Sequence, residues 1–235
     1  MIALAFKLTK TISVADLSIV RVAKELGVTP PLIHYYLGGG GRDGLTSGIM
    51  NSFYREVIEQ WPPETGDWRH DFEVVADSIY RAYLRYPGVS AYVASHNKYQ
   101  LVQDVAEDET DYGLLVLEHF MATVRKMGFD GQRTGITAHL LMLFISVYAH
   151  ATVARRWPGQ HTEFLNNKLS ELDAKAFPST TFAMDGLVNL NAAEAFSAGL
   201  RLILSGLDAE RKLSQISDSP PSTARRPSRR TEESK

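Results

Sequence analysis

The 235-residue chain contains no cysteine. That excludes disulfides and thiolate metal sites, and it is compatible with a reducing, cytoplasmic setting. No apolar run reaches the ~20 residues that a bilayer-spanning helix requires, so no membrane association is expected. The longest uncharged stretch, 134–154, is interrupted by His139, Ser146 and His150 and reads as a buried helix. The start MIALAFKLTK turns polar too early for a signal peptide and reads as a first helix. Period-two alternation is missing throughout, so strands are not expected. Chemistry-bearing motifs are scarce as well. No Gly-x-Ser-x-Gly elbow occurs, and none of His70, His96, His119, His139, His150 and His161 has a glutamate three residues before it. Hydrolase and di-iron bundle chemistry both lack their residues. No metal or other cofactor is expected.

A large charge of either sign is also missing, since the net charge is −2. Division by segment changes the picture. Residues 1–58 carry six Lys/Arg against four acids, residues 59–208 twelve against nineteen, and residues 209–235 seven against four. The first segment can approach phosphates while the acidic middle turns away from them. With 44% hydrophobic and 22% charged residues, the composition is that of an ordinary soluble protein with a sizeable core.

What is present is concentrated in the stretch 20–37, VRVAKELGVTPPLIHYYL. Val22, Ala23 and Leu26 share one helical face. Gly27 stops that helix, because the residue after a helix end often needs positive φ. Thr29 is a good N-cap, and Pro30 and Pro31 fall in the first turn of the next helix, where a missing N–H costs little. Leu32 and Ile33 pack back on the first helix. The small Ala23 lets the second helix cross closely, so that it can enter a major groove ~12 Å wide. The same pattern also occurs in ordinary helical junctions.

The rest of the chain reads as helices near 2–9, 17–26, 30–37 and 45–58, a Pro/Gly-rich break at 61–67, then helices near 68–86, 89–96, 111–127, 133–157, 163–177 and 192–207. Asp67 or Gly66 can cap the helix that follows the break. The tail beyond 208, and above all the stretch from Ser214, lacks the apolar residues needed to offset its ordering entropy and reads as a basic disordered segment.

The stretch 17–37, LSIVRVAKELGVTPPLIHYYL, resembles the DNA-binding domain of the tetracycline-repressor (TetR) family of transcriptional regulators. Residues 68–87 (WRHDFEVVADSIYRAYLRYP) and 196–207 (FSAGLRLILSGL) resemble ligand-domain segments of the same family. The resemblance implies an all-α fold with a three-helix helix-turn-helix domain at 1–58, which includes a linking helix, and a ligand-binding and dimerisation bundle at 59–208.

It further implies partners: double-stranded operator DNA, a small-molecule effector and a second copy of the chain. Thr29, Pro31, Leu32, His34, Tyr35 and Tyr36 stand where the family's recognition helix faces DNA. His34 and Tyr36 reverse the family's frequent Tyr-then-His order, yet both can donate to phosphate. Tyr35 and Leu32 suit apolar contact with base edges, while Tyr36 serves equally well as a core aromatic. Ser18 and Arg21 are phosphate-contact candidates at a helix start. Arg42 stands where a lysine is common, after a glycine loop at 38–41 longer than usual that reads as a hinge. The family's basic arm before the first helix is absent.

Effector candidates are Phe53, His96, Asn97, Tyr99, His119, His139, Met142, Phe144, Tyr148 and Phe164, because such sites are mostly apolar with a few placed polar groups. His139 and His150 lie ~16 Å apart along one helix, too far to share an ion. Phe196, Gly199, Leu200, Ile203, Leu204 and Leu207 form an apolar stripe that closes either its own bundle or a dimer; the resemblance implies a dimer interface, since the family pairs helices equivalent to 133–157 and 192–207 in a four-helix contact. The implied function is a homodimeric repressor released from a palindromic operator by a small apolar molecule. The alternatives are an architectural DNA binder without effector and a helical-bundle enzyme.

Overall fold

The computed structural model describes residues 1–95, 103, 105–106 and 108–217. Every regular element among the described residues is helical. The elements are α1 (Ile2–Leu8), α2 (Ile19–Leu26), α3 (Pro30–Tyr36), α4 (Gly41–Glu59), α5 (Trp68–Arg85), α6 (Pro87–Ser95), α7 (Tyr112–Arg125), α8 (Gly131–Val153), α9 (Thr162–Leu169), α10 (Pro178–Val188) and α11 (Ala192–Ser217). Short 3-10 turns lie at Val14–Asp16 and Pro158–Gln160.

Side-chain caps set several of the starts. Ser18 Oγ accepts from Arg21 N at 3.2 Å, so α2 begins at Ile19 and Leu17 stays outside it, in the core. Asp67 Oδ1 accepts from Arg69 N at 2.9 Å and from His70 N at 3.3 Å. Asp111 and Asp130 accept from Leu114 N and Arg133 N at 2.9 Å and 2.8 Å. Each satisfies an amide that the helix leaves without an internal partner.

Two layers position the functional surfaces. α4 sits against both α1 and α7, whereas α5 and α6 pack on α8. Phe72 meets Phe120 edge-on at 5.6 Å, joining α5 to α7. Between the Pro/Gly break and α5, Asp71 accepts from Thr65 Oγ1 (2.6 Å), Thr65 N (2.7 Å) and Gly66 N (3.3 Å). These bonds, with Lys126 3.6 Å away, hold its carboxyl down to about 2.

The structure corrects three boundaries. α4 begins at Gly41, inside the glycine run, and Gly38, Gly39 and Gly41 all take positive φ. The segment expected as one helix at 163–177 ends at Leu169, and a new helix starts at Pro178. Proline disfavours the α conformation of the residue before it, and Phe177 at φ −127°, ψ 55° has left the helix. Lastly, α11 continues past 208 to Ser217, so 209–217 are helical rather than disordered, and the rest of the expected tail, 218–235, lies outside the described residues. Asp208 pairs with Lys212 (2.8 Å) and Arg211 (3.1 Å), Arg133 pairs with Glu210, and the Arg211 guanidinium lies 5.3 Å from the centre of the Trp68 ring. These contacts carry the helix onward.

The stretch read as a buried helix is buried along one side only. Ala138, Leu141, Ile145 and Ala149 face the core, while Ile136, His139, Leu140, Leu143 and Val147 form an exposed stripe along α8. Only 28% of the window within 131–160 that has a membrane span's length and composition is buried. The apolar content exceeds what this chain's own core absorbs.

Candidate nucleic-acid interface and effector bundle

α2 and α3 form a tight two-helix unit. Gly27 ends α2 at φ 66°, a left-handed conformation that side chains with a Cβ avoid, and Val28 N donates to Ala23 O at 3.0 Å. Val22, Ala23 and Ile33 are almost wholly buried and lock the pair. Of the two residues expected to pack back, Ile33 does so and Leu32 remains exposed; Leu26, on the face shared with Val22 and Ala23, is exposed as well. Leu32 thereby joins Thr29, Pro31, His34, Tyr35 and Tyr36 on one open face. Tyr35 is 79% and Tyr36 68% exposed, so Tyr36 is not a core aromatic. Their rings meet edge-on at 5.7 Å. Thr29 occupies the N-cap position, but its side chain makes no capping bond.

Ser18 and Arg21 are exposed at the start of α2. Arg42 is exposed too, but its guanidinium donates to Ala15 O and so ties the start of α4 to the Val14–Asp16 turn. That bond gives Arg42 a structural task beside any phosphate contact.

A seam joins this module to the bundle. Tyr86, between α5 and α6, stacks on Phe6 of α1 at 4.3 Å and donates to Glu56 of α4, which also accepts from Arg85 Nε at 3.1 Å. Burial and the Glu56 bond push the Tyr86 phenol up to about 12. Gly88 N donates to Thr9 O at 2.8 Å, and a Cβ at Gly88 would collide with Ile12 O. Backbone therefore meets backbone where α6 abuts the end of α1.

The expected effector residues do not converge. Phe53 is buried in a cluster with Tyr54 (5.5 Å), Tyr83 (5.1 Å) and Tyr86 (6.1 Å). Phe144 and Tyr148 join a second cluster: Phe144 lies 4.3 Å from Tyr148 and 5.5 Å from Phe196, and Tyr148 lies 5.1 Å from Trp157. Met142 is half-buried beside the core. His119 is exposed, with its ring edge-on to Trp61 at 5.3 Å. His139 and Phe164 are exposed on α8 and α9, because both fall on helix faces that point away from the core. His96, Asn97 and Tyr99 lie outside the described residues.

Residues not foreseen complete the second cluster. Tyr80 stacks on Phe196 at 4.2 Å, and its hydroxyl meets Thr152 Oγ1 at 2.9 Å, to which Trp157 Nε1 also donates at 2.9 Å. Among the described residues, buried polar atoms without a partner include Ser90 Oγ on α6 and His150 Nδ1 on α8. Burial and the nearby Arg156 charge shift His150 towards its neutral form. Period alone marks Tyr80 as inward-facing; nothing local to Ser90 marks it.

The stripe expected at a dimer contact turns inward. Phe196, Leu200 and Leu204 are buried within their own subunit, Ile203 and Leu207 pack on the core, and Gly199 lets α11 approach to where a Cβ would sit 2.9 Å from the Phe144 ring. The stripe closes its own bundle. Exposed apolar groups on these two helices include the outward stripe of α8 and Leu202 of α11.

Among the described residues, grooves border these elements. One of ≈400 Å³ lies between α1, α4 and the start of α7, lined by Ile2, Phe6, Asn51, Arg55, Glu109 and Tyr112 among others. A second of ≈530 Å³ runs over Met121, Arg125 and Thr134, and a third of ≈260 Å³ lies between Asp77 and Phe196. Among the described residues these grooves include none of the expected effector residues. No group of three or more His, Asp or Glu among the described residues is arranged to hold a metal ion.

An open helix-turn-helix face carried on an all-helical bundle defines a class of DNA-binding regulator. Residues 62–211 match the family model described as "Tetracyclin repressor-like, C-terminal domain", so the chain belongs to the TetR family of transcriptional regulators. The fold is similar to that of apo ActR from Streptomyces coelicolor, with a TM-score of 0.72 and 22% identity over 89% of this chain and 95% of that one. ActR in complex with actinorhodin gives the same values. The regulator SCO7222 from the same organism has a TM-score of 0.69 and 20% identity, over 88% of this chain and 95% of that one. No curated protein matches the chain.

Proposed function

We propose that the protein is a homodimeric repressor that binds a palindromic operator through α3 and leaves it when a small apolar molecule enters the bundle. The observation that carries this reading is the exposed face of Thr29, Pro31, Leu32, His34, Tyr35 and Tyr36, held rigid from behind by Val22, Ala23 and Ile33. Hydroxyl and imidazole groups there suit phosphate and base-edge contacts, and the surplus of basic residues in 1–58 suits the duplex.

The second copy covers the outward stripe of α8 and Leu202 of α11, which replace the inward stripe as dimer candidates. An apolar stripe of this kind accounts for the membrane-like composition of 131–160 without a bilayer, and the protein works in the cytoplasm beside its DNA. The effector lies in the α5–α6–α8 bundle, where Phe144, Tyr148, Tyr80 and Trp157 offer aromatic surface and Ser90 Oγ and His150 Nδ1 offer unspent polar atoms. Movement there reaches α1 and α4 through Tyr86, Glu56 and Gly88. ActR has been seen with actinorhodin and with (S)-DNPA, which makes both molecules natural first probes.

The test selects duplexes from a random pool and measures affinity by fluorescence anisotropy with and without actinorhodin or (S)-DNPA. Enrichment of a palindrome with half-sites ~34–36 Å apart is expected, with weaker binding in the presence of an effector. A chain that enriches no duplex in low salt ends this reading. Binding of a palindrome that no small-molecule mixture alters leaves the architectural alternative.

A further inference from the structure

We propose that Asn51 is a positioning residue: its carboxamide clamps α4 to the first turn of α7 and so sets the DNA affinity of the protein. The second half of this statement rests on the DNA-binding reading above. Asn51 lies mid-way along α4 and is 9% exposed. Its Nδ2 donates to Thr110 O at 3.0 Å, and its Oδ1 accepts from Tyr112 N at 2.9 Å. These bonds span 59 and 61 residues of sequence and join the DNA-binding module to the bundle.

The Tyr112 amide opens α7 and is one of those a helix leaves without an internal acceptor. Asp111 serves Leu114 N from within the same segment. Tyr112 N is served instead from another module, so the start of α7 is capped in part by α4.

Both halves of the carboxamide are used, one as donor and one as acceptor. Aspartate reproduces only the acceptor, and leucine neither. At this end the ≈400 Å³ groove between α1, α4 and the start of α7 has Asn51, Thr110 and Tyr112 in its wall, and the carboxamide acts beside the packing of α4 on α7. The two hydrogen bonds thereby set how the start of α7 seats on α4, and the Arg42 bond to Ala15 O ties α4 to the turn before α2.

The test compares wild type, Asn51→Leu and Asn51→Asp as full chains. Hydrogen exchange across 110–114 is followed without DNA, and anisotropy is measured on a duplex selected with wild type. Asn51→Leu is expected to speed exchange at Tyr112 and to weaken DNA binding about tenfold, a loss on the scale of two net hydrogen bonds. Asn51→Asp keeps Tyr112 protected and falls between the two. DNA affinity that follows this graded order, with partial rescue in Asn51→Asp, is an effect a purely structural role does not produce. Unchanged Tyr112 exchange in Asn51→Leu overturns the clamp, and faster exchange with DNA affinity within twofold overturns its role in positioning. If Asn51→Leu does not fold, the Asp variant decides alone, through a lower DNA affinity with Tyr112 still protected. If wild type selects no duplex, the DNA-binding reading falls, and exchange at Tyr112 still decides the clamp.

Discussion

Two helical hairpins, α2–α3 and α9–α10, both expose large apolar side chains, yet they are built in opposite ways. Behind the open face of α2–α3 stand Val22, Ala23 and Ile33, all but inaccessible to solvent. Behind α9–α10 stands Val188 alone among buried side chains, while Phe164 and Phe177 are open and Phe182 is 93% exposed. Beyond that, α9–α10 is tied down by Thr162 Oγ1 to Val188 O at 2.8 Å and by Gly159 N to Leu190 O at 2.9 Å. An exposed aromatic on a locked platform is a presented contact group. The same aromatic on a sparsely anchored arm is apolar surface that its own chain leaves uncovered.

The largest expected effect that tests this contrast comes from Ile33→Ala. Removing a fully buried side chain should cost about 2–5 kcal/mol, against less than about 0.5 kcal/mol for Phe182→Ala. Scanning calorimetry of both variants checks it, and equal losses would show that α9–α10 has a buried role. The outward stripe of α8 comes next. The double variant Leu140→Asp, Leu143→Asp should shift sedimentation equilibrium from dimer towards monomer by at least about tenfold, since charge is placed in an apolar contact. Phe182→Asp should leave the mass unchanged; if it dissociates the dimer, the arm belongs to the interface.

Smaller effects separate presentation from packing. His34→Ala and Tyr36→Ala should each weaken DNA binding by about tenfold while the melting temperature stays put, as measured by anisotropy beside calorimetry. A drop in melting temperature without loss of affinity would reassign Tyr36 to structure. The smallest effect is a reference point outside both hairpins. The folded-state value of Asp71, about 2, lies below its ordinary 3.8, so its contribution is complete above 3.8 and is lost as pH falls through about 2. Asp71→Asn should flatten the pH dependence of stability in that window while leaving both hairpins unchanged.

Local chemistry made much of the fold legible. The Gly27 stop, the Thr29-Pro30-Pro31 start and the Asp67 cap depend on conformations and hydrogen bonds within a few residues, so position in sequence predicts them. Pro178 is the exception: the helix expected over 163–177 stops at Leu169, and Pro178 opens α10. The candidate site was less legible. Phe196, Leu200 and Leu204 keep helical period, but period marks a stripe without saying whether it meets its own bundle or a second copy. His139 and Phe144 lie on one helix, and only the placement of α8 sent the first outward and the second inward. Tyr80, Ser90 and Asn51 owe their roles to partners far away in sequence.

The sequence by itself determined that this chain is helical, that a glycine-stopped helix pair presents polar and aromatic groups, and that basic residues are in surplus at both ends while acids gather in the middle. Each of those properties is settled within one or two turns of backbone. Tertiary structure alone decided which apolar faces were consumed by the core, which stripe of α8 stayed open and how Asn51 came to cap α7. Helix faces are assigned by packing between segments tens of residues apart, where the burial of one face is possible only at the expense of another.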